Sequence, residues 1–231
     1  MSSTVIRLDR VTKSYSHGGE KARVLHSVSF TAHQGEITTI TGPSGSGKTT
    51  LLRIIGGLSH PDHGMVKVKN KDIYALNDRK LSAYRNREIG FIFQDYRLLP
   101  RYNAIENVML PLMIAGLNRR EQVARATRAL RIVGLEAVRS QKVAHLSGGQ
   151  EQRVGIARAL ARNPTVLIAD EPTGNLDSAR GADIMQLFKT LRSQQGVSIL
   201  MVTHDEHLAS QADHLIRIVD GRVREDVRAP A

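Results

Sequence analysis

An α/β fold built on one mostly parallel sheet is what this sequence predicts, and three observations carry the prediction. After Pro164 the chain alternates strand and helix: VLIAD, SARGADIMQLFKTLRSQ, SILMVTH, a further helical piece, then LIRIVDGRV as a final strand. Alternation of this kind implies parallel strands joined by right-handed crossovers. Near the start, the glycine-rich loop GPSGSGKT stands between an apolar strand and a helix, the setting in which such a loop binds phosphate. Between these regions, residues from about 77 to 160 are mostly helical in pattern. That block reads as an insertion within a single domain spanning 1–231, with a helical subdomain over about 95–160.

In chain order, VIRLDRV and VLHSVSFTAH alternate apolar and polar residues as half-exposed strands do. Gly35-Glu36 breaks the pattern before ITTITG, and a helix from Thr49 to Gly56 follows the glycine-rich loop. A turn at HPDHG leads to the strand-like MVKVKNKDIY, and GFIFQD places Gln94 at a strand end. Val123, Ala126, Leu130 and Val133 mark one face of a helix, and Gly134 is its C-terminal stop. Val154, Ile156, Ala157, Leu160 and Ala161 mark the apolar face of another, opened by LSGGQ. Repeats, low-complexity segments and long linkers are absent from the sequence.

At 231 residues and 41% hydrophobic content, the chain can bury a large core, roughly 70% of its unfolded surface. The absence of cysteine excludes disulfides and thiolate zinc sites and fits a reducing compartment. MSSTVIRLDR lacks the apolar core of a secretory signal. VMLPLMIAGL, the most apolar stretch, is about half the length of a membrane span, so a soluble cytoplasmic chain is expected. The net charge of +11 fits a solvated surface or docking near an anionic leaflet, and RREQVARATRALR reads as a solvated helix face. Aromatics are only 4%, too few to build stacking platforms for single-stranded nucleic acid, and no nucleic-acid partner is expected.

The chemistry concentrates in a few stretches. In Gly42, Pro43, Ser44, Gly45, Ser46, Gly47, Lys48 and Thr49, followed by Thr50, the template GxxxxGK[ST] is complete. Backbone N–H groups of such a loop curl around phosphate oxygens, the lysine reaches the terminal phosphates and the threonine hydroxyl ligates Mg²⁺. The expected ligand is a nucleoside triphosphate. VLIADE ends a buried strand in two carboxylates: Asp170 is placed to hold Mg²⁺ and Glu171 to act as general base on water. His204 ends SILMVTH, where it either bonds the γ-phosphate or is a satisfied structural residue. Tyr15 either stacks on a base or is a half-buried strand aromatic.

LSGGQ then raises a puzzle, because Ser147, Gly148 and Gly149 open a helix N-terminus suited to anions in a chain that already has a phosphate loop. Phosphate loop, LSGGQ, an apolar strand ending in Asp-Glu 20 residues after Gln150, and a strand-end histidine form an ordered set. That set resembles the ATP-binding-cassette (ABC) ATPase family over nearly the whole chain. The resemblance implies a P-loop NTPase fold with a RecA-like core sheet, an N-terminal antiparallel β-subdomain and an inserted helical signature subdomain. It implies ATP and Mg²⁺, with Tyr15 on the adenine, Gln94 beside Thr49 and Asp170 at the metal, and Lys48, Glu171 and His204 as the catalytic set. It also implies a head-to-tail homodimer. There Leu146, Ser147, Gly148, Gly149 and Gln150 of one copy close on the nucleotide held by the other, and Asn175, Leu176 and Asp177 form the crossing loop.

FIFQDYRLLPRYNAIENVMLPL, QRVGIARAL and LIADEPTGNLD are similar to the branch serving lipoprotein release, macrolide and peptide export, and haem efflux. This implies an integral membrane permease subunit with an extracytoplasmic domain, and a place on the cytoplasmic side of the inner membrane through that partner. Tyr102-Asn103 and Ala144-His145 depart from the branch's usual residues, near the groove expected to meet the membrane subunit. Two rival readings are a regulatory cassette of the cell-division type and a DNA- or translation-associated ATPase. The second is disfavoured by the lack of heptads and cysteine between the phosphate loop and Leu146.

Overall fold

The computed structural model of the protein describes residues 3–18 and 20–229. Its strands form two sheets. The smaller is antiparallel and contains β1 (Thr4–His17), β2 (Glu20–His33), β4 (His63–Val68) and β5 (Lys71–Asp72), in the order β2-β1-β4-β5. The larger contains β3 (Ile37–Thr41), β6 (Ile89–Phe93), β7 (Val166–Asp170), β8 (Ser198–Val202), β9 (His214–Val219) and β10 (Arg222–Arg228). Its order is β10-β9-β3-β8-β7-β6, and every pairing except β10 with β9 is parallel.

A parallel strand covered on both faces is a near-continuous apolar run, as β7 is up to Asp170 and β8 is after Ser198. Along β7, Leu167 and Ala169 face one core cluster while Val166 and Ile168 face the other. The first cluster holds the inward faces of α3 (Ala104–Ile114), α4 (Arg119–Ile132), α5 (Gly148–Leu160) and α6 (Ser178–Gln195). The second joins α1 (Lys48–Ile55) to the antiparallel sheet through Leu51, Leu52, Ile54 and Ile55. α2 (Asp78–Glu88) contributes Leu81 to it, and the four-residue α7 (Glu206–Ala209) follows β8.

Helix starts in the inserted region are set by capping boxes, each with two reciprocal bonds. Asn103 pairs with Glu106 at α3, and Asn118 pairs with Glu121 at α4. Asn103 thus has a local role as the cap of α3. Among the described residues no helix is long and apolar enough to cross a membrane.

Two expectations change. LIRIVDGRV is not one strand but the hairpin β9–β10, because Asp220 (φ 49°) and Gly221 (φ 67°) adopt the paired left-handed turn that Asp-Gly favours. The strand read in GFIFQD is β6, which joins the core sheet beside β7 within the otherwise mostly helical block. Ala126, Leu130 and Val133 are buried, but Val123 is exposed: it sits one turn from the helix start, beyond the reach of the cluster that α3 and α5 cover. Gly134 does end α4, at φ 76°.

Candidate active site

Between β3 and α1 the glycine-rich loop turns back so that α1 begins at its rim. Gly47, the residue before the helix, has φ 98°, and a Cβ there would lie 2.9 Å from the Val24 carbonyl oxygen and 2.8 Å from Leu25 Cδ2. Only glycine fits both the conformation and the space. The first turn of α1 has neither a side-chain cap nor an acidic residue, so its positive end is left for an exogenous anion. Lys48 Nζ donates to the Gly42 and Pro43 carbonyl oxygens at 2.8 Å each, which leaves one of its three protons uncommitted.

The loop forms the floor of a hollow of about 500 Å³, through Ser44, Gly45 and Gly47 to Thr50. Tyr15 and Val24 line one side of it, and Gln94, Glu171, Val202 and His204 line the other. Gly42, Pro43 and Ser46 are not part of this lining; Ser46 is buried beneath the loop, and its hydroxyl has no partner. Tyr15 is 41% exposed, and Lys13 Nζ lies over its ring, 5.4 Å from the centroid.

The two carboxylates at the end of β7 part company: Glu171 lines this hollow, whereas Asp170 lines a separate one with Arg53 and Arg97 and reaches the loop only through Thr49. Asp170 ends β7, and its Oδ1 accepts a bond from the Thr49 hydroxyl at 3.1 Å. Burial pushes the Asp170 carboxyl above the usual carboxylate range, with Thr49, Arg53, Lys48 and Arg97 offsetting only part of that. The oxygen donors of Asp170, Thr49 and the Gln94 amide are of the kind that suits Mg²⁺. Glu171 has φ 49°, a conformation that costs a non-glycine residue about 1–3 kcal/mol. It is held by a bond from its own N–H to the Val202 carbonyl at 3.0 Å. Its carboxylate accepts from the His204 N–H at 3.3 Å and lies 2.9 Å from His204 Nδ1. The adjacent parallel strands β7 and β8 thus deliver Glu171 and His204 as a bonded pair at the mouth of the hollow.

Gln94, following β6, is gripped by the loop after Glu171. Asn175 Nδ2 donates to the Gln94 carbonyl at 3.0 Å, and Gly174 packs beneath the Gln94 side chain.

Ser147, Gly149 and Gln150 line a second hollow of about 280 Å³, together with Leu176 and Arg180. The two hollows have no lining residue in common. Ser147 and Gln150 form a capping box, with Ser147 N donating to Gln150 Oε1 at 2.9 Å and Gln150 N to Ser147 Oγ at 3.4 Å. The N–H groups of Gly148 and Gly149 fall in the first turn of α5, where no intrahelical acceptor exists. Leu146 packs against the helical core, and Asp177 caps α6 by accepting from Arg180 N at 2.9 Å.

Sequence reasoning missed the walls Val24 and Val202, and two residues of α5, one buried and one partly buried. Gln152 is fully buried, and its Nε2 donates to the Pro172 carbonyl. Arg158 donates to the Tyr96 and Arg97 carbonyls at 2.6 Å each. A signal existed for Gln152: it lies four residues before Ile156 and eight before Leu160, on the apolar face.

Comparison with known proteins agrees with this geometry. The profile of the family described as ABC transporter matches residues 25–174. The lipoprotein-releasing system ATP-binding protein LolD of Bacteroides thetaiotaomicron is 44% identical over 96% of this chain and 100% of its own length. The macrolide export ATP-binding/permease protein MacB of Rhodopirellula baltica is 42% identical over 98% of this chain, which spans 34% of that larger protein. A dimeric ATP-binding cassette in a post-hydrolysis state, bound to ADP and Pi, superposes with a TM-score of 0.88 at 41% identity, over 98% of this chain and 99% of that one. The chain belongs to the ABC transporter family, as an ATP-binding subunit whose hydrolysis of ATP is coupled to transport.

Proposed function

We propose that the protein hydrolyses ATP as one half of a head-to-tail homodimer and thereby drives a separate membrane permease of the lipoprotein-release or macrolide-export type. The observation that carries this reading is the separation of the two hollows. Lys48, Thr49 and Glu171 line one, and Ser147, Gly149 and Gln150 line the other; in this reading each is half of a phosphate site. Two copies related by a two-fold axis complete both halves at once. Support comes from the relatives' names and from the dimeric, ADP-bound state of the structural neighbour.

In this reading the N–H groups of the loop and of the first turn of α1 take the phosphates, Lys48 neutralises the terminal one, and Tyr15 stacks on the base. Asp170, Thr49 and Gln94 hold Mg²⁺, which would withdraw charge from the phosphates when bound. Glu171 accepts the proton of the attacking water, and His204 fixes the carboxylate orientation. Ser147, Gly148 and Gly149 of the second copy close over the γ-phosphate, with Asn175, Leu176 and Asp177 crossing between copies. Departure of the cleaved γ-phosphate removes part of the interface, so the preference for the closed state weakens once it leaves. The permease, with its extracytoplasmic domain, selects the cargo, whether lipoprotein, peptide, drug or haem, and holds this subunit at the cytoplasmic face of the inner membrane.

Glu171→Gln tests the reading. Turnover should fall at least about a hundredfold, the usual share of a general base, and gel filtration with ATP should give a dimer. A monomer at high micromolar protein with ATP would refute the sandwich. Ser147→Arg, mixed with Lys48→Ala in one heterodimer, should leave one intact site and one doubly broken site.

A further inference from the structure

Among the buried polar side chains of the described residues, Gln152 joins the helix opened by LSGGQ to the turn after Glu171. It is 0% exposed, its Nε2 donates to the carbonyl of Pro172, and its Oε1 has no partner. Burying an amide with half its capacity unused is unfavourable, and a methionine of the same length would fill the space without that cost. The bond that Gln152 does make falls on the residue immediately after Glu171. The turn it grips is the one that holds Glu171 at φ 49°. Gly174 N donates back to the Glu171 carbonyl at 3.1 Å, so the turn is closed on itself and moves as a unit with Pro172.

Gln152 lies only two residues beyond Gln150, in the opening turns of the helix whose first residues line the second hollow. The same helix is tied further along to the loop after Gln94, through the two 2.6 Å bonds from Arg158 to the Tyr96 and Arg97 carbonyls. One helix therefore has its N-terminus at the second hollow, and its Gln152 and Arg158 side chains on the loops that follow Glu171 and Gln94, two residues of this chain's own nucleotide hollow.

We infer that Gln152 is a positioning residue that couples the two sites of the pair: engagement of Ser147–Gln150 with the partner copy's nucleotide is transmitted through Gln152 to Pro172, and sets the Glu171 carboxylate of its own chain. The inference rests on the dimer reading above. A helix shift of a fraction of an ångström suffices, because catalytic geometry is sensitive on that scale. Gln152 itself contacts neither substrate nor metal.

The test uses the full chain with Gln152→Met, which keeps the length and removes the donor, and Gln152→Glu. For Gln152→Met, kcat at saturating protein and ATP should fall between about ten- and a hundredfold, with KM for ATP and thermal stability close to those of the parent. For Gln152→Glu, burial raises the carboxyl pKa, and the protonated acid can again donate to Pro172. Its kcat relative to the parent should therefore recover as pH falls from 8 toward 6 (about two units, spanning a raised carboxyl range). Unchanged kcat in Gln152→Met would overturn the inference. So would a loss that tracks KM or melting temperature, or a ratio for Gln152→Glu that is flat with pH. The Glu171→Gln variant run alongside separates the two readings: if it dimerises with ATP while Gln152→Met turns over normally, only the coupling is refuted. If it stays monomeric, the dimer reading itself has failed.

Discussion

Gly174→Ala isolates the contact between the loop after Glu171 and Gln94. The φ of Gly174 lies outside the left-handed region, so alanine brings no backbone strain. Its methyl group would instead stand 2.9 Å from Gln94 Nε2, 3.3 Å from Cδ and 3.5 Å from Cγ. Only the terminal amide is closer than ordinary contact, and it must retreat by about half an ångström or more to restore van der Waals distance. That amide is the far end of a flexible side chain. Turning it off its rotamer costs about 0.5–1.5 kcal/mol, less whatever is recovered by swinging fully into another well. The Asn175 bond to the Gln94 carbonyl is a backbone contact and survives. The fold should thus lose no more than about 1 kcal/mol, a fall of roughly 2–4 °C in melting temperature for a chain of this size.

Function should suffer more than the fold. If the Gln94 amide is one of the groups meeting Mg²⁺ and the attacking water, a displacement approaching an ångström lowers turnover by up to about a hundredfold. Steady-state ATPase, ATP affinity and differential scanning fluorimetry on the same preparation give the three readings. The expected pattern is a large fall in kcat, a small change in ATP affinity and a near-parental melting curve. Parental turnover would refute the placement of the Gln94 amide at the reacting centre. A large drop in melting temperature would show that Gly174 serves the fold.

Two other outcomes follow from the site. Asp170→Asn should stabilise the metal-free chain at neutral pH by about 0.5–2 kcal/mol, as removal of a strained functional charge often does, while abolishing turnover. Because burial raises the Asp170 pKa in the folded state, the folded chain binds that proton more readily than the unfolded chain. The penalty is present at neutral pH and relieved as pH falls toward the ordinary carboxylate range, so the parent should close the stability gap to Asp170→Asn on acidification without Mg²⁺. Chemical denaturation at several pH values checks this, and a gap independent of pH refutes it. Tyr15→Ala should weaken ATP binding about tenfold, from a stacking contribution of about 1–3 kcal/mol, with little loss of stability because the ring is 41% exposed. Equal titrations of parent and variant with a fluorescent ATP analogue would remove Tyr15 from the base site.

Legibility in the sequence divides by the kind of physics involved. GPSGSGKT could be placed between a strand and a helix because glycine spacing and flanking apolarity are local, and the structure puts it between β3 and α1. VLIADE and SILMVTH read as buried strands with polar ends for the same reason, and β7 and β8 are those strands. The hairpin at Asp220-Gly221 was equally local and was still passed over, because the apolar alternation of LIRIV runs on through the turn into GRV. Nothing local could show that β6 lies beside β7, or that Asp170 meets Thr49 across 121 positions of the chain.

What stayed hidden has a common character. Gln152 and Arg158 spend their donors on backbone carbonyls, of Pro172 in one case and of Tyr96 and Arg97 in the other. A carbonyl is offered by every residue type, so the acceptor leaves no mark in the sequence and the pair cannot be recognised from its second member. A motif that faces a ligand is different, since the ligand's chemistry selects the side chains themselves. In the proposed site Lys48 and Glu171 answer to charge, and Gly47 answers to a conformation and space that only glycine fits. The residues that touch substrate in a cassette are therefore written in its sequence as types, whereas the ties between its motifs appear only as a polar residue where periodicity demands an apolar one. Gln152 is that exception on α5, and on this argument buried amides at apolar-face positions are where the coupling between phosphate sites should be sought.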